Sequence, residues 1–110
     1  MSMTIVSKVW GREQWIVNND KYCGKLLFLK QGAQSSFHYH VIKQETFFCL
    51  SGKVKLIVGD NEYDLSEPVT IMPFEVHSFY GLTDTVILEI STHHSDDDVE
   101  RVRGSKGVQE

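Results

Sequence analysis

Two histidines spaced two residues apart are the first sign of chemistry in this sequence. His38 and His40 lie in segment 36–42, whose β-branched and aromatic residues favour an extended strand. Residues i and i+2 of a strand point to the same face, with Cα atoms about 6.5–7 Å apart. Two imidazoles at that spacing can bind one cation through bonds of about 2.0–2.1 Å.

Two further residues complete a candidate ligand set. Glu45 begins the next predicted strand and offers an anionic oxygen, and His77 lies on a distant strand that a closed β-structure can bring near. Three imidazoles and one carboxylate leave one or two coordination positions open on a divalent ion, which is typical of a catalytic metal site. This ligand set does not distinguish Mn, Zn, Fe and Ni.

Short β-strands must position these side chains. The chain contains one alanine against 12 valines, 7 isoleucines and 6 threonines, a composition that favours pleated sheets over helices. Alternation and turn signals predict eight antiparallel strands, which together indicate a sandwich, jelly roll or small barrel. The predicted strands are 25–30, 36–42, 45–50, 53–58, 63–65, 68–72, 77–82 and 85–90.

Length and charge exclude several classes of function. The 110 residues fit one domain, and the net charge of −4 argues against a protein that binds nucleic acid by neutralising phosphates. No apolar run reaches the ~18 residues of a membrane helix, and the first ten residues do not resemble a signal peptide. Two cysteines, Cys23 and Cys49, are too few for a disulfide scaffold, so we expect a cytoplasmic protein.

The spacing of the candidate ligands resembles the first motif of the cupin family. The pattern runs from Gly32 through His38, His40 and Glu45 to Gly52. The second cupin motif is looser, because Phe74 stands where the family usually has glycine before the histidine. The resemblance covers residues 22–92 and implies a single-domain cupin jelly-roll β-barrel with His38, His40, Glu45 and His77 as metal ligands.

A narrower resemblance involves both ends of the chain. Segment 8–15 (KVWGREQW) is similar to the Lys/Arg-Pro-Trp-Gly start of the C-terminal cupin domain of type II phosphomannose isomerases, with Val9 in place of the proline. Segment 97–101 (DDVER) is similar to the paired aspartates and arginine that close that domain. This resemblance implies a role for Arg101 in sugar-phosphate chemistry.

We therefore expect a sugar or sugar-phosphate isomerase that uses a divalent metal as Lewis acid. An isomerase also needs a general base within about 3 Å of the carbon that loses its proton, and the candidates are Glu75 and Glu89. Arg101, Lys25 or Lys43 can bind a phosphate. Two alternatives remain open: a non-haem iron cupin dioxygenase and a non-catalytic cupin that binds a small molecule.

The ends of the chain give weaker signals. Residues 1–92 are predicted to form the barrel, whereas the polar segment 93–110 is expected to be a tail or a short helix over the barrel mouth. The three aspartates 96–98 are interpreted as a solvated charge run, and His93 and His94 as solvated side chains. The apolar residues of segment 3–9 suit a strand that pairs in a homodimer.

Overall fold

Antiparallel strands make up most of the structure. The computed structural model describes residues 3–104, 106 and 107. Within this part of the chain there are eleven strands, a single 3-10 turn at Asp96–Asp98 and no α-helix. The strands are β1 (Thr4–Lys8), β2 (Gly11–Asn18), β3 (Cys23–Leu29), β4 (Phe37–His40), β5 (Glu45–Ser51), β6 (Val54–Val58), β7 (Asn61–Tyr63), β8 (Val69–Ile71), β9 (His77–Gly81), β10 (Thr85–Ser91) and β11 (Val99–Arg103).

The strands form two sheets that face each other. One sheet has six strands in the order β1-β2-β3-β10-β5-β8, and the other has five in the order β11-β4-β9-β6-β7. All strand pairs are antiparallel, and the chain crosses repeatedly between the sheets, as in a jelly roll. The all-β prediction is confirmed.

The space between the sheets is apolar at one end and polar at the other. On β3 and β10 every second side chain is buried, as period-2 geometry requires. Leu27 and Ile87 join the apolar core, but Lys25 and Glu89, which are opposite each other in the register, occupy buried positions of the same faces. Charged residues at positions that the strand period assigns to the core indicate a functional interior.

All eight predicted strands are present, with ends shifted by a few residues, and β1 lies in segment 3–9, which was expected to suit a strand. Two more strands, β2 and β11, were missed. The segments of β2 and β11 are rich in polar residues, so their sequences lack the alternation that identifies a strand. They become strands through backbone pairing: β2 lies between β1 and β3, and β11 adds to the edge of β4.

The segment after residue 92 was expected to be a tail or a short helix. It continues on the barrel as the 3-10 turn Asp96–Asp98, whose first amides are capped by Ser95, and then as β11. Residues 105 and 108–110 of the expected tail lie outside the described residues. No helix in the described residues has the length and hydropathy needed to cross a membrane.

Candidate metal centre

Three histidines meet at the polar end of the interior. His38 and His40 point inward from β4 because they are two residues apart, and His77 at the start of β9 is opposite His38 in the register. One nitrogen from each ring lies within 4.8 Å of the others. The His38 and His77 rings are 4.5 Å apart between centroids. Two adjacent strands therefore bring together three of the four candidate ligands.

The fourth candidate ligand comes from the opposite sheet. Glu45 begins β5, and its carboxylate lies 3.4 Å from Nε2 of His40 and 3.1 Å from Nε2 of His77. Glu45 and His77 are almost completely buried. The four residues that the spacing predicts as ligands are thus neighbours in space.

Hydrogen bonds to the backbone orient two of the rings. Nδ1 of His38 lies 2.9 Å from the carbonyl oxygen of Ser36, and Nδ1 of His77 lies 2.9 Å from that of Glu75. Because a carbonyl can only accept, each Nδ1 carries the proton. In the neutral form of each ring the Nε2 lone pair is then available inside the cluster, which is the tautomer found in histidines that bind a metal.

Two buried polar atoms at the centre of the cluster lack a hydrogen-bond partner. Nε2 of His77 and Oε2 of Glu45 are 3.1 Å apart, but their relative orientation does not form a hydrogen bond, and neither atom has another partner. Unpaired buried polar atoms cost free energy, and a cation between a nitrogen and a carboxylate oxygen would satisfy both. The donor set of three imidazoles and one carboxylate fits a divalent transition metal.

The electrostatic surroundings favour the protonation state that a metal needs in His38, His40 and Glu45, whereas at His77 burial is outweighed by Glu45, which raises the pKa of that ring. Burial lowers the pKa of His38 to about 3, with a further contribution from charge on His77, and lowers that of His40 to about 4. Burial opposes ionisation of Glu45, but contact with His77 and the charge of Lys43 outweigh it and hold the pKa of Glu45 well below its usual range. His38 and His40 are therefore neutral and Glu45 is anionic near neutral pH, as ligation requires.

A cavity of about 370 Å³ opens beside the cluster. Its aromatic lining includes Phe47 and Phe79. Cys49, further along β5, packs against the apolar core. Four cationic and four carboxylate side chains also line the cavity: Lys8, Lys25, Lys43 and Arg101, and Glu13, Glu45, Glu89 and Asp96.

A buried lysine connects the cluster to the rest of the cavity. Nζ of Lys43 lies 3.1 Å from Glu45, 2.7 Å from Glu89 and 3.0 Å from Nδ1 of His94. Burial opposes a charged ammonium, but the two carboxylates outweigh burial and raise the pKa of Lys43 above its usual value. Because an ammonium only donates, Nδ1 of His94 accepts and its Nε2 donates to Asp96, 2.9 Å away.

The opposite wall of the cavity is built on β2 and β3. Lys25 is 1% exposed, and its Nζ lies 4.2 Å from the centre of the Trp15 ring and 3.4 Å from Glu13. The indole Nε1 of Trp15 donates to the same carboxylate at 2.8 Å. This wall presents a charged pair and an aromatic edge to the interior, which is a surface suited to a polar ligand.

The three predicted catalytic residues have different positions. Glu89 is buried and lines the cavity, and Arg101 lines it from the exposed strand β11. Glu75 is exposed and lies outside the cavity lining. Its carboxylate accepts the backbone N–H of Met72 at 2.8 Å within the turn before β9, so its proximity to His77 in the sequence does not bring it to the site.

The turn before β9 keeps its backbone geometry although Phe74 stands at the position where a glycine is usual. Phe74 has φ of 70°, in the left-handed region that glycine adopts readily, and its N–H donates to the carbonyl of His40 at 2.8 Å. The departure at Phe74 therefore adds backbone strain to the turn but leaves His77 aimed at the cluster.

Two residues at the site were missed by the sequence reasoning. His94 lines the cavity and contacts Lys43, whereas His93 is exposed, so the expectation that both are solvated holds for His93 only. Asp98 is 8% exposed and is not part of a solvated charge run. Nothing in the local sequence marks either residue, because their partners lie about fifty residues earlier in the chain.

Comparison with known proteins identifies the fold. No protein-family model and no curated protein matches the sequence. Among solved structures, KdgF from Halomonas sp. matches 88% of this chain and 90% of its own with a TM-score of 0.77 and 12% identity. The nucleoside dehydratase Pac13 matches 94% of this chain and 87% of its own with a TM-score of 0.77 and 11% identity.

A longer protein contains a similar unit. The capsular polysaccharide assembling protein CapF from Staphylococcus aureus is 20% identical with a TM-score of 0.73 over 98% of this chain. This chain spans about a third of the CapF chain, 34% of its length. Together with the two facing sheets, these likenesses show that the chain has the jelly-roll β-barrel fold of these proteins.

Proposed function

We propose that this chain binds one divalent metal through His38, His40, Glu45 and His77 and uses it to isomerise a sugar or sugar phosphate. The observation that carries the proposal is the pair of buried, unpartnered ligand atoms, Nε2 of His77 and Oε2 of Glu45. When bound, the ion supplies a Lewis acid for a carbonyl or hydroxyl oxygen.

The charges of the cavity support an oxygen-rich, anionic substrate. Its cationic and carboxylate side chains are equal in number, so the charge of a divalent ion is left uncompensated. A positive interior attracts a phosphate and stabilises a developing oxyanion. Lys8 and Arg101, which are less buried than Lys25 and Lys43, are suited to contact the phosphate.

Glu89 is the proposed general base. It is the predicted base that lines the cavity, and its carboxylate lies 2.7 Å from Nζ of Lys43. Its carboxylate would take a proton from the carbon next to the carbonyl and return it to the former carbonyl carbon, while the hydroxyl proton passes to the former carbonyl oxygen, with the enediolate between these steps. The aromatic side chains Phe47 and Phe79 exclude water from the same region.

One observation favours a second candidate, a cupin that binds a sugar without turning it over. One carboxylate oxygen of Glu89 already accepts hydrogen bonds from Lys43 at 2.7 Å and from Ser91 at 3.2 Å, so it is occupied by groups of the protein itself. Two structural neighbours, the nucleoside dehydratase Pac13 and the capsular polysaccharide assembling protein CapF, act in the chemistry of molecules that contain sugars, which supports a sugar as the ligand in either candidate.

The first test is elemental analysis of the purified protein beside His40→Ala and His93→Ala, the latter a matched control at an exposed histidine. About one equivalent of metal in the wild type and the control, absent in His40→Ala, is the expected result. A wild type that takes up no Mn, Zn, Fe or Ni contradicts the proposed site.

Turnover then distinguishes the functions. An isomerase incorporates solvent deuterium into a panel of aldose and ketose phosphates without oxygen, and Glu89→Gln abolishes this exchange. A binding module is stabilised by a sugar but exchanges nothing. Oxygen consumption by the iron-loaded protein would instead support the dioxygenase.

We also propose a homodimer that pairs through β1. This strand is the edge of the six-stranded sheet, and it and its flanks expose Met3, Ile5 and Val9. Exposed edges with apolar side chains pair readily with another strand. Light scattering that gives the mass of one chain would contradict the dimer.

A further inference from the structure

The carboxylate of Asp98 links the segment after β10, through hydrogen bonds, to the loop between β4 and β5, the strands that carry His38, His40 and Glu45. Oδ1 accepts the backbone N–H of Val41 at 2.9 Å and of Ile42 at 2.8 Å, and Oδ2 accepts that of Lys43 at 3.0 Å. These three residues directly follow His40. A single buried side chain thus fixes the backbone between His40 and the next ligand.

The same carboxylate faces the one candidate ligand whose outer nitrogen has no backbone acceptor. Nδ1 of His40 is buried without a hydrogen-bond partner, and Oδ2 of Asp98 lies 3.7 Å away. His38 and His77, in contrast, each have a carbonyl oxygen 2.9 Å from Nδ1. The distance at His40 is a few tenths of an ångström beyond a hydrogen bond.

We propose that Asp98 is a positioning residue of the metal centre, which accepts the Nδ1 proton of His40 and so directs the Nε2 lone pair toward Glu45. The inference rests on the proposed metal-binding function. If Nε2 of His40 binds a cation, the ring carries its proton on Nδ1. Oδ2 of Asp98 is the carboxylate oxygen that lies beside that nitrogen, 3.7 Å away. Acceptors of this kind fix the ring orientation and raise its basicity as a ligand.

The test compares two substitutions that remove one negative charge each. Asp98→Asn presents an amide that cannot serve all the donors at this position, whereas Asp97→Asn changes an exposed neighbour with no side-chain partner at the site. Co²⁺ is titrated into metal-free protein, and its visible absorption bands report affinity and coordination geometry. We expect Asp98→Asn to weaken Co²⁺ binding about 10–100-fold and Asp97→Asn to leave it unchanged.

A second measurement separates positioning from mere support of the loop. In the zinc-loaded wild type, NMR of ¹⁵N-labelled histidine is expected to show a Nδ1–H of His40 that exchanges slowly with water, and Asp98→Asn should lose that signal. Rapid exchange in the wild type overturns the inference, even if the variant does not fold.

The outcomes also distinguish the inference from the proposed function. Equal Co²⁺ affinity of wild type and Asp98→Asn overturns the role of Asp98 and leaves the metal site standing. A wild type that binds neither Co²⁺ nor Zn²⁺ overturns the metal site itself, and the role of Asp98 with it.

Discussion

Replacing Lys43 by methionine should destabilise the protein far more than the loss of an ordinary surface charge. The side chain of Lys43 is 1% exposed, and its ammonium is paired with two carboxylates whose side chains are only 3% and 5% exposed, Glu45 and Glu89. Lys43→Met leaves both carboxylates buried without their cation. Breaking a buried pair from one side costs about 3–5 kcal/mol, and the loss of two charge-assisted hydrogen bonds gives a similar sum of about 3–6 kcal/mol.

That loss is a large share of the stability of a domain this size, about 5–15 kcal/mol. The free energy of unfolding can be measured by urea denaturation followed by tryptophan fluorescence. Lys55→Met is the matched control, because Lys55 pairs with Glu62 at 3.4 Å while their side chains are 38% and 59% exposed. Such a surface pair contributes about 0–1 kcal/mol.

A double variant tests the cause of the loss. The double variant Lys43→Met with Glu89→Gln removes one of the two buried carboxylates that Lys43→Met leaves unpaired. The double variant should therefore be more stable than Lys43→Met alone. The loss should also shrink toward pH 5, because a carboxyl without its lysine takes up a proton instead of remaining a buried charge. The reasoning is refuted if Lys43→Met loses no more stability than Lys55→Met, or if the double variant recovers nothing.

Three further predictions concern the site and its supports. Because burial holds the pKa of His38 and His40 at about 3 and about 4 against 6.5 in the unfolded chain, only the unfolded state takes up protons as the pH falls below 6.5. The free energy of unfolding of the metal-free protein should therefore fall by about 1.4 kcal/mol per pH unit for each histidine between pH 6.5 and pH 4. Urea denaturation at pH 7, 6 and 5 measures this, and a free energy of unfolding that does not change with pH would contradict it. Glu75→Gln should leave turnover of the substrate unchanged, since Glu75 is exposed and the amide oxygen can still accept its backbone bond; a large fall in kcat would return Glu75 to the catalytic candidates. Gly52 has φ +83°, and an added Cβ would lie 2.2 Å from a backbone carbonyl oxygen, whereas Gly59 has φ +56° with open space around it. Gly52→Ala should therefore reduce the free energy of unfolding by about 1–3 kcal/mol more than Gly59→Ala. Thermal unfolding of the two variants measures this difference, and equal losses would contradict the prediction.

Local patterns in the sequence predict the strands and the ligand cluster well. The alternation along β3, β5 and β10 gives their buried faces directly, and the i, i+2 spacing of His38 and His40 requires a common face. The placement of Glu45 and His77 beside them depends on the resemblance to cupins, because neither periodicity nor composition states which strands become neighbours.

The residues that sequence reasoning misplaced owe their roles to distant contacts. Asp98 was grouped with its charged neighbours, but its partners are backbone amides more than fifty residues away. Glu75 is a candidate general base because it lies two residues before His77 in the sequence, but in the turn its side chain is exposed and accepts the N–H of Met72. Closeness along the chain was a poor guide to the cavity wall, which is assembled from both sheets.

The attachment of Asp98 also determines when the ligand loop is complete. Its bonds to residues 41–43 join positions 55 to 57 apart in the sequence, and closing so long a loop is entropically costly and slow compared with forming a hairpin. During synthesis β4 and β5 are made long before residue 98. The amides of residues 41–43 therefore gain the Asp98 carboxylate as their acceptor only after residue 98 has been made, later than β4 and β5.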